Sequence, residues 1–407
     1  MTSREHHPAP ALVGEADTQG SGRHERRPAP APVGETDTQS SRRPTTSHER
    51  RPAPAPAGET DTQSSRRPTT SHERRPAPAL VVAVVAVAIS AAAGVLIGPT
   101  GIDPAEVGGV IVHHLFGLGG PNIPPAADAI VWDLRLPRVL TGAAVGAGLG
   151  VCGAVMQGLT RNPLADPYLL GLSSGAALGA VLVLLVGLPG GVPVAAFAGS
   201  LLALGASLAL ARSFGGLSPT RTVLAGLAVT QAASACVGLV VFASAKGDAF
   251  REVLGWLMGS LAGATWQAAG LTMAVCVIVG GGLVACGGVL DAFALGDVAA
   301  TSMGVRVAPV RRGLLVATAL LTGVLVSQSG AIGFVGLVVP HAVRMVAGGL
   351  NRRVLPLAGL VGAFTVIWAD VAARTVLVPN ELPVGILTAG IGAPVFAVLL
   401  WRDRSLV

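Results

Sequence analysis

The sequence predicts an all-α integral membrane protein, about ten transmembrane helices gathered in a compact bundle, and three observations carry that expectation. Half of the 407-residue chain is hydrophobic (51%) and only 12% is charged, against about a quarter in soluble domains. The charge is also segregated: residues 1–78 are crowded with Arg, Glu, Asp, Pro, Ser and Thr, whereas from Ala79 onward long windows carry no ionisable side chain. Beyond that point apolar runs recur at about 79–98, 139–157, 168–188, 193–211, 222–244, 266–290, 313–330, 333–349, 354–373 and 383–401. Each is close to the roughly 20 residues that a bilayer core demands. Two units follow, a tail over 1–78 and a membrane domain over 79–407.

The tail repeats itself. "HERRPAPAP" begins at His24 and again at His48, and "HERRPAPA" at His72, a period of 24 residues. The unit has almost no large apolar side chain to bury, and its prolines break helix and strand alike, so a disordered cytoplasmic tail is expected rather than a solenoid. Its arginine pairs predict a weak affinity for anionic lipid. The first apolar run starts only at Ala79 and is long enough to span, which argues against a cleaved signal peptide.

Glycine and alanine saturate the apolar runs. Gly142, Gly146 and Gly150 fall at four-residue spacing, on one helix face, where they let a neighbouring backbone come close. They are read as packing residues. Cys152, Cys236, Cys276 and Cys286 all lie in apolar runs without a C-x-x-C pair, as expected of buried free thiols. The high isoelectric point does not imply nucleic acid, because the cations sit in the tail and in short loops without an aromatic or basic face.

With the tail inside, the inner loops hold Arg161, Arg212, Arg221, Arg306, Arg311, Arg312, Arg344, Arg352, Arg353, Arg402 and Arg404, while the outer loops 187–193 and 327–330 hold no cation. That satisfies the positive-inside rule with an even number of spans and both termini cytoplasmic. Three arginines break it: Arg135 and Arg138 in "LRLPRVL", and Arg374 in "ADVAARTVLVPNELP". Guanidinium groups at an outer mouth fit an acidic partner by bidentate pairing with carboxylates. Snorkelling to lipid phosphate fits their spacing equally well.

Several chemistries have no residues to perform them. The sole lysine is Lys246 in "SAKGD", so no G-x-x-x-x-G-K-[ST] phosphate loop exists. No H-E-x-x-H, G-x-S-x-G or Cys/His ligand cluster occurs, and the adjacent His113 and His114 are read as surface residues; no bound metal or cofactor is expected. Ion-coupled transporters carry acids at mid-membrane, and Asp370 is the one acid well within an expected span, near its outer end. A conduit of this kind needs another protein to drive it. An ion-coupled secondary transporter acting through Asp370 is the alternative from another class, and a non-transporting scaffold a third.

Six separated stretches, taken in order, resemble the iron-siderophore and cobalamin permeases of bacterial ABC importers: "LRLPRVL" (134–140), "GAVMQGLTRNPLADPYLLGLSSGA" (153–176), "LGWLMGSLAGATW" (254–266), "LGDVAATSMGV" (295–305), "SGAIGFVGLVVPHAVRM" (329–345) and "ELPVGILTAGIGAPVFAVLLW" (381–401). The resemblance runs from Ala79 to the end and leaves the tail outside. It implies the type II ABC importer permease fold and import of an iron(III)-siderophore-type chelate, with cobalamin and haem as alternatives. The implied partners are a second, like or unlike permease subunit, ATP-binding cassette subunits that hold the ATP and Mg²⁺, and an extracytoplasmic binding protein or lipoprotein.

Site roles follow from the resemblance position by position. Arg135, Arg138 and Arg374 match arginines that pair with glutamates on the binding protein. Leu295, Gly296, Asp297, Ala299, Met303 and Gly304 match the helix that couples to the ATPase, with Asp297 where glutamate is usual and Met303 where leucine is usual. Asn162 and Leu164 in "RNPLADP", with Ser218 and Thr220 in "LSPTRTVLAG", match the cytoplasmic gate, although Pro219 stands where a hydroxyl residue is usual. Asn162 before proline also reads as an ordinary turn residue.

Overall fold

The computed structural model describes residues 76–118, 123–213, 218–244 and 247–402. All but the last three residues of the repetitive tail lie outside this set. Among the described residues every regular element is helical. The helices are α1 Pro76–Leu96, α2 Pro104–Phe116, α3 Pro125–Asp128, α4 Leu136–Thr160, α5 Leu172–Val181, α6 Val192–Ser213, α7 Pro219–Ser244 and α8 Asp248–Leu257. They continue with α9 Trp266–Val275, α10 Gly281–Ala285, α11 Gly287–Ala294, α12 Asp297–Ser302, α13 Val307–Ser329, α14 Val335–Ala347, α15 Asn351–Thr375 and α16 Val384–Arg402.

All ten expected apolar runs coincide with helices. Seven are long and apolar enough to cross a membrane, and three, at Leu172–Val186, Val335–Ala347 and Val384–Leu399, are shorter. The spans are not smooth cylinders. A π-helical turn joins α3 to α4 (Ala129–Arg135), another extends α5 (Leu182–Val186), and a third joins α9 to α10 (Cys276–Gly280). Four helices, α2, α3, α8 and α12, fall outside the expected runs. Asp103 caps α2 by accepting from the Ala105 N–H at 2.8 Å, with Pro104 at the first helical position, where a missing N–H costs nothing.

The helix of α4 is the axis of the bundle. It is buried along nearly its whole length and packs most extensively on α15, with α14, α13 and α9 around it. In lipid there is little hydrophobic drive between helices, so close backbone approach must supply the contact. A Cβ at Gly146 would collide with the Gly362 carbonyl, one at Gly150 with the Ala358 carbonyl, and one at Gly153 with Gly336. Gly142, first of the four-residue row, meets only side-chain ends, Leu261 Cδ1 at 3.1 Å and Val366 Cγ1 at 3.7 Å from an added Cβ. Large apolar side chains, among them Leu149, Met156, Leu290, Leu321 and Leu355, fill the remaining space.

Candidate functional site

At the end of the bundle where α1 finishes and α4 starts, the three topologically unexpected arginines converge. They are turned into the protein: Arg135, Arg138 and Arg374 are only 4%, 7% and 3% exposed. Arg138 donates from Nε to Asp370 Oδ1 and from Nη1 to Glu381 Oε2, both at 2.8 Å. Arg374 lies one helical turn after Asp370, and its Nε sits 3.1 Å from Asp370 Oδ2 in an ion pair. Its Nη2 donates to the Gly94 carbonyl at 2.9 Å. Arg135 donates from Nη1 to the carbonyls of Val95 and Leu96, each at 3.1 Å, and from Nη2 to the backbone and side-chain oxygens of Thr100.

The physical reason for this inward turn lies at the end of α1. The last carbonyls of a helix have no intrahelical donors and carry the negative end of its dipole. Gly94, Val95 and Leu96 are such carbonyls, and Arg135 and Arg374 satisfy them. The expected span at 139 also began too late: the continuous helix starts at Pro125, so Arg135 and Arg138 stand inside it rather than in a flanking loop. Three cations against two carboxylates leave the cluster one positive charge in excess, and Glu381, whose side chain is 39% exposed, is its open edge.

At the opposite end of α4, α12 projects an apolar edge. Leu295, Val298 and Met303 are 70%, 84% and 53% exposed, while Ala299 is half-buried and Ala300, buried, anchors the helix. Gly296 and Gly304 bracket α12 with φ of 101° and 82°, backbone that favours glycine. Asp297 binds this helix to its neighbours, 2.7 Å from Arg311 of α13 and 3.8 Å from Arg161 at the end of α4. The Arg311 hydrogen bond holds the Asp297 carboxyl below the usual carboxylate range, so the bridge stays charged at neutral pH.

Arg161 itself ends α4 in a left-handed conformation (φ 51°) and hands the chain to Asn162. Asn162 Oδ1 accepts from the Leu164 N–H at 2.9 Å, the turn role that its place before proline foretold; both residues are exposed. Ser218 caps α7 through its carbonyl, which accepts from the Thr222 N–H and hydroxyl at 3.0 and 2.9 Å, and Thr220 is exposed.

Three participants escaped sequence reasoning. Glu381 sat in a recognised motif without a partner assigned, the Asp370–Arg374 spacing of four residues is the helical ion-pair signal, and Arg311 had been counted only as loop charge. His114, read as a lone surface residue, pairs through Nε2 with Asp128 at 2.8 Å and stacks on Trp132 at 4.0 Å between ring centres.

Residues 82–402 match the model of the FecCD transport family. The chain belongs to the FecCD transport family. Within it, the cobalamin import system permease protein BtuC of Halobacterium salinarum is 43% identical over 70% of this chain and 76% of its own. The Fe(3+)-citrate import system permease protein YfmD of Bacillus subtilis is 40% identical over 73% of this chain and 94% of its own. A solved inward-facing structure described as an ABC transporter of the metal-chelate type superposes with a TM-score of 0.69 at 31% identity, covering 80% of this chain and 99% of the other. This FecCD chain is therefore a multi-pass ABC importer permease with the type II fold and not an enzyme.

Proposed function

We propose that the chain carries an iron(III)-siderophore-type chelate inward, as one of two permease subunits driven by separate ATP-binding cassette subunits. The observation that carries the driven reading is α12, where Leu295, Val298 and Met303 form an apolar edge left uncovered between two glycine hinges on an arginine-rich face. An exposed apolar patch of this kind marks a contact with another protein. ATP and Mg²⁺ belong to that partner. Displacement of α12 reaches the end of α4 through Asp297 and Arg161, next to Asn162 and Leu164, which with Ser218 and Thr220 serve as the cytoplasmic gate. Both termini then lie in the cytoplasm. The substrate class is supported by relatives named for ferric citrate and cobalamin; cobalamin and haem remain the competing cargoes.

The ion-coupled alternative loses its residue. Asp370, the acid it requires, is held between two guanidinium groups and is not free to exchange a proton with solvent. Vesicles containing the permease with its ATPase subunit, and loaded binding protein outside, should take up ferric siderophore only when ATP is supplied inside. Val298→Asp should cost at least ten-fold in uptake and in ATPase co-purification. Uptake by the permease alone would refute the scheme.

Docking of a binding protein belongs to the opposite end. There Glu381 occupies Arg138, and a partner's carboxylate takes its place on Nη1, drawn by the excess positive charge around Arg135, Arg138 and Arg374. Glu381→Gln removes the internal competitor while keeping a hydrogen-bond acceptor. Binding-protein affinity, measured on permease in nanodiscs, should rise about five-fold, since a charged hydrogen bond outweighs a neutral one by about 1 kcal/mol. Unchanged or weaker binding would sink this exchange.

A further inference from the structure

Three helix ends meet on the face that carries α12: the start of α1, the end of α14 and the start of α15. Between them runs a groove of about 460 Å³, within the roughly 300–1,000 Å³ range of ligand sites. Its walls are apolar, with Val82 and Ala83 from α1, Val346 and Ala347 from α14, and Leu357 from α15. Small residues at the base make the depression, and Val82 and Val346 on its rims are 68% and 84% uncovered. The groove extends along α15 from Arg353 to Val361, about 12 Å at the helical rise.

Arg353 closes one end. It is half-buried, and among the described residues its guanidinium has no hydrogen bond or ion pair. The nearby charges do not neutralise it. Asp291 accepts from the Asn351 N–H and stands 3.8 Å from Arg352, while Arg344 is spent on the carbonyls of Gly349 and Ala154 and on Asn351. A long apolar trough ending in an unpaired cation complements a molecule with an acyl chain and an anionic head.

We propose that this groove is a specific binding site for an anionic phospholipid of the inner leaflet, with its phosphate on Arg353 and an acyl chain along Val82, Val346 and Leu357. The assignment to the inner leaflet rests on the importer orientation; the binding itself does not. Cations near a membrane surface favour anionic lipid by about 1 kcal/mol each, and a groove adds the selectivity that a flat surface lacks.

The test is native mass spectrometry of the full chain in detergent, titrated with phosphatidylglycerol or with phosphatidylcholine of the same acyl chains. The wild-type protein should retain phosphatidylglycerol preferentially, and Arg353→Gln should lower that preference about five-fold. Val346→Trp, on an uncovered rim and so harmless to folding, should reduce retention of both lipids by filling the groove. Arg312→Gln, an exposed cation on the same face outside the groove, should retain the wild-type preference. Wild-type selectivity in Arg353→Gln, unchanged retention in Val346→Trp, or an equal loss in Arg312→Gln would overturn the site. Because no transport is measured, failure here is distinct from failure of the importer reading.

Discussion

Asp370→Ala is expected to destabilise the protein by about 3–5 kcal/mol, the cost of leaving a buried charge without its partner. The carboxylate is 1% exposed and lies against both Arg138 and Arg374, so its removal strands two cations where little water can reach them. The damage spreads to α1, whose terminal carbonyl at Gly94 is held by Arg374. Thermal melts in detergent should place the variant far below wild type, on a scale where a few kcal/mol is a large share of total stability. Asp370→Asn, which keeps an acceptor for Arg138, should fall between the two. Adding Arg374→Met to Asp370→Ala should recover part of the loss, since an apolar replacement removes one stranded cation. A melt of Asp370→Ala indistinguishable from wild type would mean that the cluster contributes nothing to folding. This dependence also changes how docking is probed: charge reversal at Arg138 would place an acid beside Asp370 and Glu381, and at Arg135 one against the carbonyls that end α1, so the variant would fail to fold for reasons unrelated to any partner.

A side chain at Gly150 should be nearly as damaging. Its Cβ would fall on the Ala358 carbonyl of α15, and backbone cannot step aside as a flexible side chain does. Overpacking of this kind costs about 1–3 kcal/mol, and Gly150→Leu should exceed that range because α4 and α15 must part along their most extensive contact. Gly142→Ala supplies the contrast within the same row. There the nearest neighbour is the terminal methyl of Leu261, which can rotate away, so a loss below about 1 kcal/mol is expected. Comparing the yield of folded, monodisperse protein and its melting temperature for Gly142→Ala, Gly150→Ala and Gly150→Leu tests the order. Equal tolerance at both positions would show that α4 and α15 do not touch through backbone.

The two glycine positions share one sequence pattern, and only their neighbours distinguish them. Spacing by four placed Gly142, Gly146 and Gly150 on one face, correctly, because helical periodicity is local. Which of them meets a carbonyl and which a methyl depends on residues more than 100 positions away. α12 was singled out in the sequence only through the resemblance of 295–305 to a family motif, a match contained in a short stretch of chain; its exposed apolar edge became visible only in the structure. Asp297 likewise gains its meaning from Arg161 and Arg311, which loop charge alone could not join.

What the amino-acid order determined by itself is the set of apolar helices, their membrane-spanning character and the family, since each rests on hydrophobic runs or motifs contained within a few turns of chain. What tertiary structure alone decided is the state of Arg135, Arg138 and Arg374. In sequence they are cations on the wrong side of a membrane; in the folded chain they neutralise Asp370 and Glu381 and satisfy the carbonyls that end α1. Those partners are separated by up to 280 positions, and a buried charge takes its energy from the groups packed around it, not from its neighbours in the chain.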